Sequence, residues 1–331
     1  MTPRADDDGT VVVPRSGGGL LAVHAHPDDE TLATGALLAT WAAAGLPVTV
    51  VTCTRGEQGE VIGEHLAHLA GDGPALAAHR TGELARALAA LGASGPLFLD
   101  EVPDPAGRPG EPAVRYADSG MAWLAAGRAG AADDLPPGAF VAVPVDVAAA
   151  RLAGLLRERR PDVVVGYEPG GGYGHPDHVH AHRVLMRAVE LAAAPDGDAA
   201  PWTVPVVLWS VLDADALRAG YATARRVLAA GGAAGADGVG LGAPDPAGPL
   251  PSAAVAGSRI GVRVPLKPVL HAVRAALGAH ASQVQAVRAG TDEVPLLLAL
   301  SNRVLLPVLA EETYEVVRTS PVRWPAAVRV A

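Results

Sequence analysis

Two short stretches hold most of the side chains in this sequence that could do chemistry. HAHPDDE (24–30) places two histidines and three consecutive acids in seven positions. GGYGHPDH (171–178) ends in two histidines around an aspartate. His26 and Asp29 stand at i and i+3 around a Pro–Asp pair, so a tight turn could aim both inward. A third donor is available downstream from His175, Asp177 or His178. Two histidines and one carboxylate with an open fourth position is the donor set of a catalytic zinc or ferrous site. Cys53 is the only cysteine, which argues against a closed, thiolate-rich structural zinc site and rules out an intrachain disulfide.

Each stretch alone has a plainer reading. HPDDE could be a helix N-terminus with acids set against the dipole, and HPDH could be a turn and N-cap. The elements around them tip the balance. GLLAVHA (19–25) reads as a buried strand, ETLATGALLATWAAAG (30–45) as a helix ending at Gly45, and VTVVTCT (48–54) as a second buried strand. This order implies parallel strands with a right-handed crossover. A helix within 75–92, a strand over 96–100, a helix over 146–160 and a strand over 162–167 continue the pattern. Both chemistry-dense stretches follow predicted strands, so they belong at one edge of the sheet, where open α/β sheets bind ligands.

Further on, a helix is expected over 178–194, a strand over 203–212, a helix over 213–230, a strand over 259–264 and a helix over 266–287. Residues 101–140 read as a long irregular connection, and 231–258, dominated by Gly, Ala, Pro and Asp, as a flexible segment. The expected fold is a Rossmann-like, doubly wound α/β domain with a mostly parallel sheet. It has a disordered lead-in over 1–18, a core over 19–195 and a smaller C-terminal α/β subdomain over 196–331.

The totals narrow the function. Of 331 residues, half are apolar and 4% aromatic, and the net charge is −9. That charge argues against non-specific affinity for nucleic acid. Lys267 is the only lysine, so a Schiff-base mechanism has one remote candidate. No apolar run reaches the ~18 residues of a membrane helix, and the N-terminus lacks a signal-peptide pattern. A cytoplasmic protein with a small-molecule substrate, no nucleic acid or membrane partner and no evident obligatory protein partner is expected. His65, His68, His79, His180, His182 and His271 are read as structural or surface residues.

AHPDDE with a downstream HPDH resembles the signature of the LmbE/PIG-L family of zinc-dependent N-deacetylases. VTCTRGEQGEVIG, HRTGELARALAALG, DSGMA (118–122), GGYGHPDHVHAH and HASQV extend the resemblance to one branch. That branch deacetylates N-acetyl-glucosaminyl-inositol in mycothiol biosynthesis. The resemblance runs from about residue 20 to 315 and weakens in 101–115 and 231–260. It implies one Zn2+ per subunit, with Fe2+ possible for the same donors, held by His26, Asp29 and His178. It implies Asp28 as the general base, His175 as the group that stabilises the oxyanion and can protonate the amine, and Tyr173 as a carbonyl polariser. Arg80, Glu60, Asp118 and Asp177 fall where the branch binds sugar or orients His175. The physics is compatible: adjacent residues in a turn point apart, so Asp28 and Asp29 do not readily share one ion. The nearest rival within the family is an amidase of mycothiol S-conjugates. The rival from another class is a non-catalytic sugar- or nucleotide-binding protein. It would need a glycine-rich phosphate loop after the first strand, where this chain has carboxylates.

Overall fold

The computed structural model describes residues 19–104, 114–125, 128–131, 134–197, 199–231, 234–235 and 238–331. The lead-in expected over 1–18 lies outside the described residues.

The first half alternates strand and helix: β1 (Leu20–His24), α1 (Asp29–Ala43), β2 (Val48–Thr52), α2 (Gly73–Leu91) and β3 (Leu97–Phe98). A hairpin of β4 (Met121–Ala125) and β5 (Arg128–Ala131) follows, inside the stretch expected to be irregular. Then come α3 (Val145–Arg159), β6 (Val163–Tyr167), the short α4 (Gly171–Gly174), α5 (Pro176–Ala193), β7 (Val206–Asp213) and α6 (Ala214–Ala229). The C-terminal part contributes β8 (Ala254–Val255), β9 (Val262–Pro265), α7 (Leu270–Ala279), β10 (Gln285–Ala289), β11 (Leu296–Ala299), β12 (Leu305–Val308), β13 (Glu311–Arg318) and β14 (Arg329–Val330).

The central sheet runs β3-β2-β1-β6-β7-β13-β9-β14. The first five strands are parallel, and the last three continue the same sheet antiparallel. Alternation along the strands explains the two helical layers. Leu20, Ala22, Val48, Val50, Val163 and Val165 share one core with α1, α2 and α7. Leu21, Val23, Val51 and Val164 share the other with α3 and α5. Both faces are covered, which is why these strands read as continuous apolar runs. The chain proceeds outward from β1 to β2 and β3, then returns to place β6 on β1's other side. The crevice outside the carboxyl ends of β1 and β6 is therefore the topological switch point. His24 ends one strand and Tyr167 ends the other.

Two C-terminal expectations change. The helix expected over 266–287 covers only Leu270–Ala279. It stops because the following turn is bonded elsewhere: Ser282 donates from both N and Oγ to Glu83 of α2, at 2.8 and 2.6 Å. The described part of 231–258 is tied to the fold. Gly242 bridges Val304, β8 pairs with β7, and Ser252 Oγ donates to Glu168 at 2.7 Å. β10, β11 and β12 form a separate three-stranded antiparallel sheet against α6. No helix among the described residues is long and apolar enough to cross a membrane.

Candidate metal centre and active site

The turn after β1 is held open under strain. Asp28 has φ of 121°, a region that L-residues avoid. Its neighbours fix it. Arg80 of α2 donates from Nη2 to Pro27 O at 2.6 Å and from Nη1 to Gly56 O at 2.8 Å. Asp28 N donates to Glu30 Oε2 at 2.9 Å, and Ala25 N to the Tyr167 hydroxyl at 2.9 Å. The turn after β6 is stapled by Glu168, whose carboxylate accepts from Gly170 N at 2.5 Å and Gly172 N at 2.8 Å. Gly171 has φ of 67°, and a Cβ there would lie 2.7 Å from Val179 N and 2.8 Å from His178 Cβ. His175 then caps α5, its Nδ1 accepting from Asp177 N at 3.2 Å.

These turns bring three donors together. His26 Nδ1 is 3.3 Å from Asp29 Oδ2 and 3.3 Å from His178 Nε2, and His178 Nε2 is 3.4 Å from Asp29 Oδ1. Four-coordinate zinc with metal–nitrogen bonds of ~2.0–2.1 Å has donor–donor edges of ~3.4 Å, so the spacing fits a tetrahedral ion. The hydrogen bonds also aim the lone pairs. The far nitrogen of His26, Nε2, meets Asp177 Oδ2 at 3.2 Å. The far nitrogen of His178, Nδ1, meets Gly171 O at 3.1 Å. Both of those partners can only accept, so the far nitrogens carry protons and Nε2 of His178 faces the site as an acceptor; His26 Nδ1 faces the same site and would have to release its proton for an ion to bind there. A carboxylate or carbonyl behind a ligating imidazole is the usual support for a metal-binding histidine.

The charges are arranged to match. Burial alone would lower the His26 pKa, but Asp118, Asp177 and Asp29 hold it well above its ordinary value. Burial opposes ionisation of Asp29, yet His178 and His26 hold its carboxyl well below the usual range. Asp28 behaves oppositely: burial pushes its pKa up to about 6, with the Arg80 guanidinium restraining the rise. Burial, with His26 and His178 nearby, lowers His175 to about 2, so this ring is neutral at physiological pH. Its Nδ1 accepts the Asp177 amide, so the remaining proton sits on Nε2.

The other expected residues take the following places. Asp177, expected to bind sugar or orient His175, has no exposed surface. Its oxygens are taken by Ser119 Oγ at 2.5 Å, Ser119 N at 2.9 Å and His26 Nε2. Arg80, expected to grip hydroxyls, is 3% exposed, bonded to two carbonyls and 3.4 Å from Asp28 Oδ2. Asp118 is buried, accepts from Gly120 N at 2.8 Å and Gln58 N at 3.3 Å, and stands 3.6 Å from His26 Nε2. Glu60 is exposed, on the rim of a cavity of about 410 Å³. A second cavity of about 350 Å³ is lined by Gln58, Ser119, Gly120 and Met121. Tyr173 lies edge-on to His178, with ring centroids 5.1 Å apart. His79, read as a structural or surface residue, pairs with Glu83 at 3.2 Å. Sequence reasoning missed Glu30, Ser119, Tyr167 and His280. Tyr167 stacks on His178 with centroids 4.3 Å apart. The only signal for His280 was its place at the head of HASQV.

A buried His–His–Asp donor set that could hold a metal stands at the switch point of an α/β sheet, beside the Asp28 carboxyl. The profile of the family described as "PIG-L: GlcNAc-PI de-N-acetylase" matches residues 21–189. Curated relatives carry the likeness through the C-terminal part. The 1D-myo-inositol 2-acetamido-2-deoxy-alpha-D-glucopyranoside deacetylase of Kineococcus radiotolerans is 46% identical over 302 residues, 90% of this chain and 77% of that one. The protein of the same description from Nocardia farcinica is 46% identical over 303 residues, 91% of this chain and 90% of that one. Among solved structures, the conserved protein TT1542 from Thermus thermophilus aligns with a TM-score of 0.45 and 23% identity, covering 80% of this chain and 79% of that one. This chain belongs to the PIG-L family, and it is a deacetylase.

Proposed function

We propose that this enzyme hydrolyses the acetamide of N-acetyl-glucosaminyl-inositol, giving glucosaminyl-inositol and acetate, as a step of mycothiol biosynthesis. The observation that carries the chemistry is the convergence of His26, Asp29 and His178 beside an Asp28 carboxyl that titrates near 6. The substrate rests on the relatives' descriptions. We assign the donors to Zn2+, with Fe2+ accepted by the same set. A divalent ion held there supplies a Lewis acid for the carbonyl and lowers the pKa of water.

The chain's own groups do the rest. Asp28 takes a proton from the attacking water as the new C–O bond forms. His175 Nε2–H donates a hydrogen bond to the developing oxyanion, and Tyr173 stands beside it. The C–N bond then breaks and the amine leaves with a proton. That proton comes from the Asp28 carboxyl that acquired it, with His175 the other group able to supply one. Asp177 and Asp118 hold His26, Arg80 holds the Asp28 turn, and Glu60 faces the remote part of the sugar. We place the enzyme in the cytoplasm, a reading supported by its single, buried thiol at Cys53.

Acetate release from N-acetyl-glucosaminyl-inositol should exceed amide cleavage of a mycothiol S-conjugate by at least tenfold in kcat/KM, roughly 1.4 kcal/mol of discrimination. The opposite preference would make the protein an S-conjugate amidase on the same metal site.

A further inference from the structure

The Asp28 turn is supported from an unexpected direction. Glu30, one residue past Asp29, is fully buried and spends both carboxylate oxygens inside the protein. Oε2 accepts the backbone amide of Asp28 at 2.9 Å. Oε1 accepts Nε2–H of His280 at 2.8 Å and the Thr31 hydroxyl at 2.5 Å. His280 is also fully buried, and it lies 250 residues away in sequence. We propose that His280 is a positioning residue for the reaction: through Glu30 it holds the Asp28 turn in the backbone conformation that directs the carboxylate at the substrate.

His280 is itself fixed by contacts independent of Glu30. Its amide closes α7 on Leu277 O at 3.3 Å. Two residues on, Ser282 is locked to Glu83 of α2 through both N and Oγ. Its carbonyl accepts Ile62 N at 2.9 Å, and Gln283 Nε2 donates to Glu60 O at 3.0 Å. The 280–283 turn therefore ties together the Asp28 turn, the helix that carries Arg80 and the loop that carries Glu60. An L-residue at φ of 121° relaxes unless its surroundings over-determine it. Arg80 grips the carbonyl before Asp28, and Glu30 grips the amide of Asp28 itself. Without His280, Glu30 is a buried carboxylate stripped of its strongest donor. It would be free to turn, and the Asp28 amide would lose its anchor.

The ring offers a discriminating test, because its other nitrogen, Nδ1, has no hydrogen-bond partner among the described residues. His280→Gln carries an amide N–H to the position of Nε2, whereas His280→Asn reaches only the position of Nδ1. Both are polar and of similar bulk. With metal-loaded protein and N-acetyl-glucosaminyl-inositol, His280→Asn should lose roughly ten- to a hundredfold in kcat. KM and bound metal should stay unchanged, and His280→Gln should keep most of the wild-type kcat. Hydrogen exchange at the Asp28 amide should accelerate in the Asn variant alone. Equal kcat in the two variants, or an Asn variant that loses only thermal stability, would overturn the proposal and leave His280 a scaffold residue. The inference rests on Asp28 being the base, so Asp28→Asn is measured alongside. If Asp28→Asn is inactive and the two His280 variants match, only the positioning role falls. A fully active Asp28→Asn would remove the base assignment and this proposal with it.

Discussion

Asp28 bears two costs, a backbone angle that L-residues resist and a site that resists its ionisation. Both follow from placing the proposed base beside a proposed metal ligand in a buried turn. The raised pKa fixes the sign of the pH dependence. The base works when ionised, so kcat/KM should fall as pH drops through about 6 and level off above it. Asp28→Asn should keep its metal and lose ~10²–10⁴-fold in kcat. It should also be more stable than wild type when both are metal-free at pH 7. A carboxyl whose folded pKa lies above its unfolded value destabilises the fold once pH passes the folded pKa. An amide carries no such charge. A pH profile flat down to 5, or a less stable Asn variant, would contradict this assignment. HPDDE marked His26 and Asp29 as candidate donors, while HPDH left His175, Asp177 and His178 open as the third; the choice of His178 and of Asp28 as base came from the family resemblance. The destinations of Arg80 and Asp177 were not legible, because the direction a buried charge faces depends on partners such as Pro27 O and Ser119, which no local pattern encodes.

Elements were legible where their period and punctuation agreed. The helix ending at Gly92 was visible from its glycine, which has φ of 75°. The helix expected over 266–287 kept an apolar pattern past its true end, and only the distant carboxylates of Glu30 and Glu83 explain why the chain turns at His280. A similar long-range contact acts on α1. Glu312 of β13 accepts Ala36 N at 2.6 Å, Leu37 N at 2.8 Å and the Tyr314 hydroxyl at 2.6 Å. Burial raises its pKa. This carboxylate, on a strand, braces the helix that begins with the proposed ligand Asp29. Glu312→Ala should strip acceptors from two amides in the middle of α1 and cost about 2–4 kcal/mol in denaturant unfolding. A change below about 0.5 kcal/mol, the size expected of an ordinary surface substitution, would show that α1 needs no such brace.

At the scale of the molecule, strand–helix alternation foretold the parallel half and, with it, the switch point where the site stands. The antiparallel half was only partly visible: the strand expected over 259–264 appears as β9, but its partners were not readable, and β14 is two residues long. Yet that half supplies His280 and Glu312, so the C-terminal part helps shape the site as well as the sheet. On the proposed assignment, a metal held by His26, Asp29 and His178 makes this chain a deacetylase. The most direct test follows acetate release from N-acetyl-glucosaminyl-inositol by wild type and His178→Ala, each stripped with chelator and then titrated with Zn2+ or Fe2+, with bound metal measured in parallel. Stripped wild type should be inactive and recover activity in step with one ion per chain. His178→Ala should neither retain the ion at micromolar metal nor recover. Full activity in the stripped enzyme, or a His178→Ala protein that binds one ion tightly and turns over normally, would contradict that assignment.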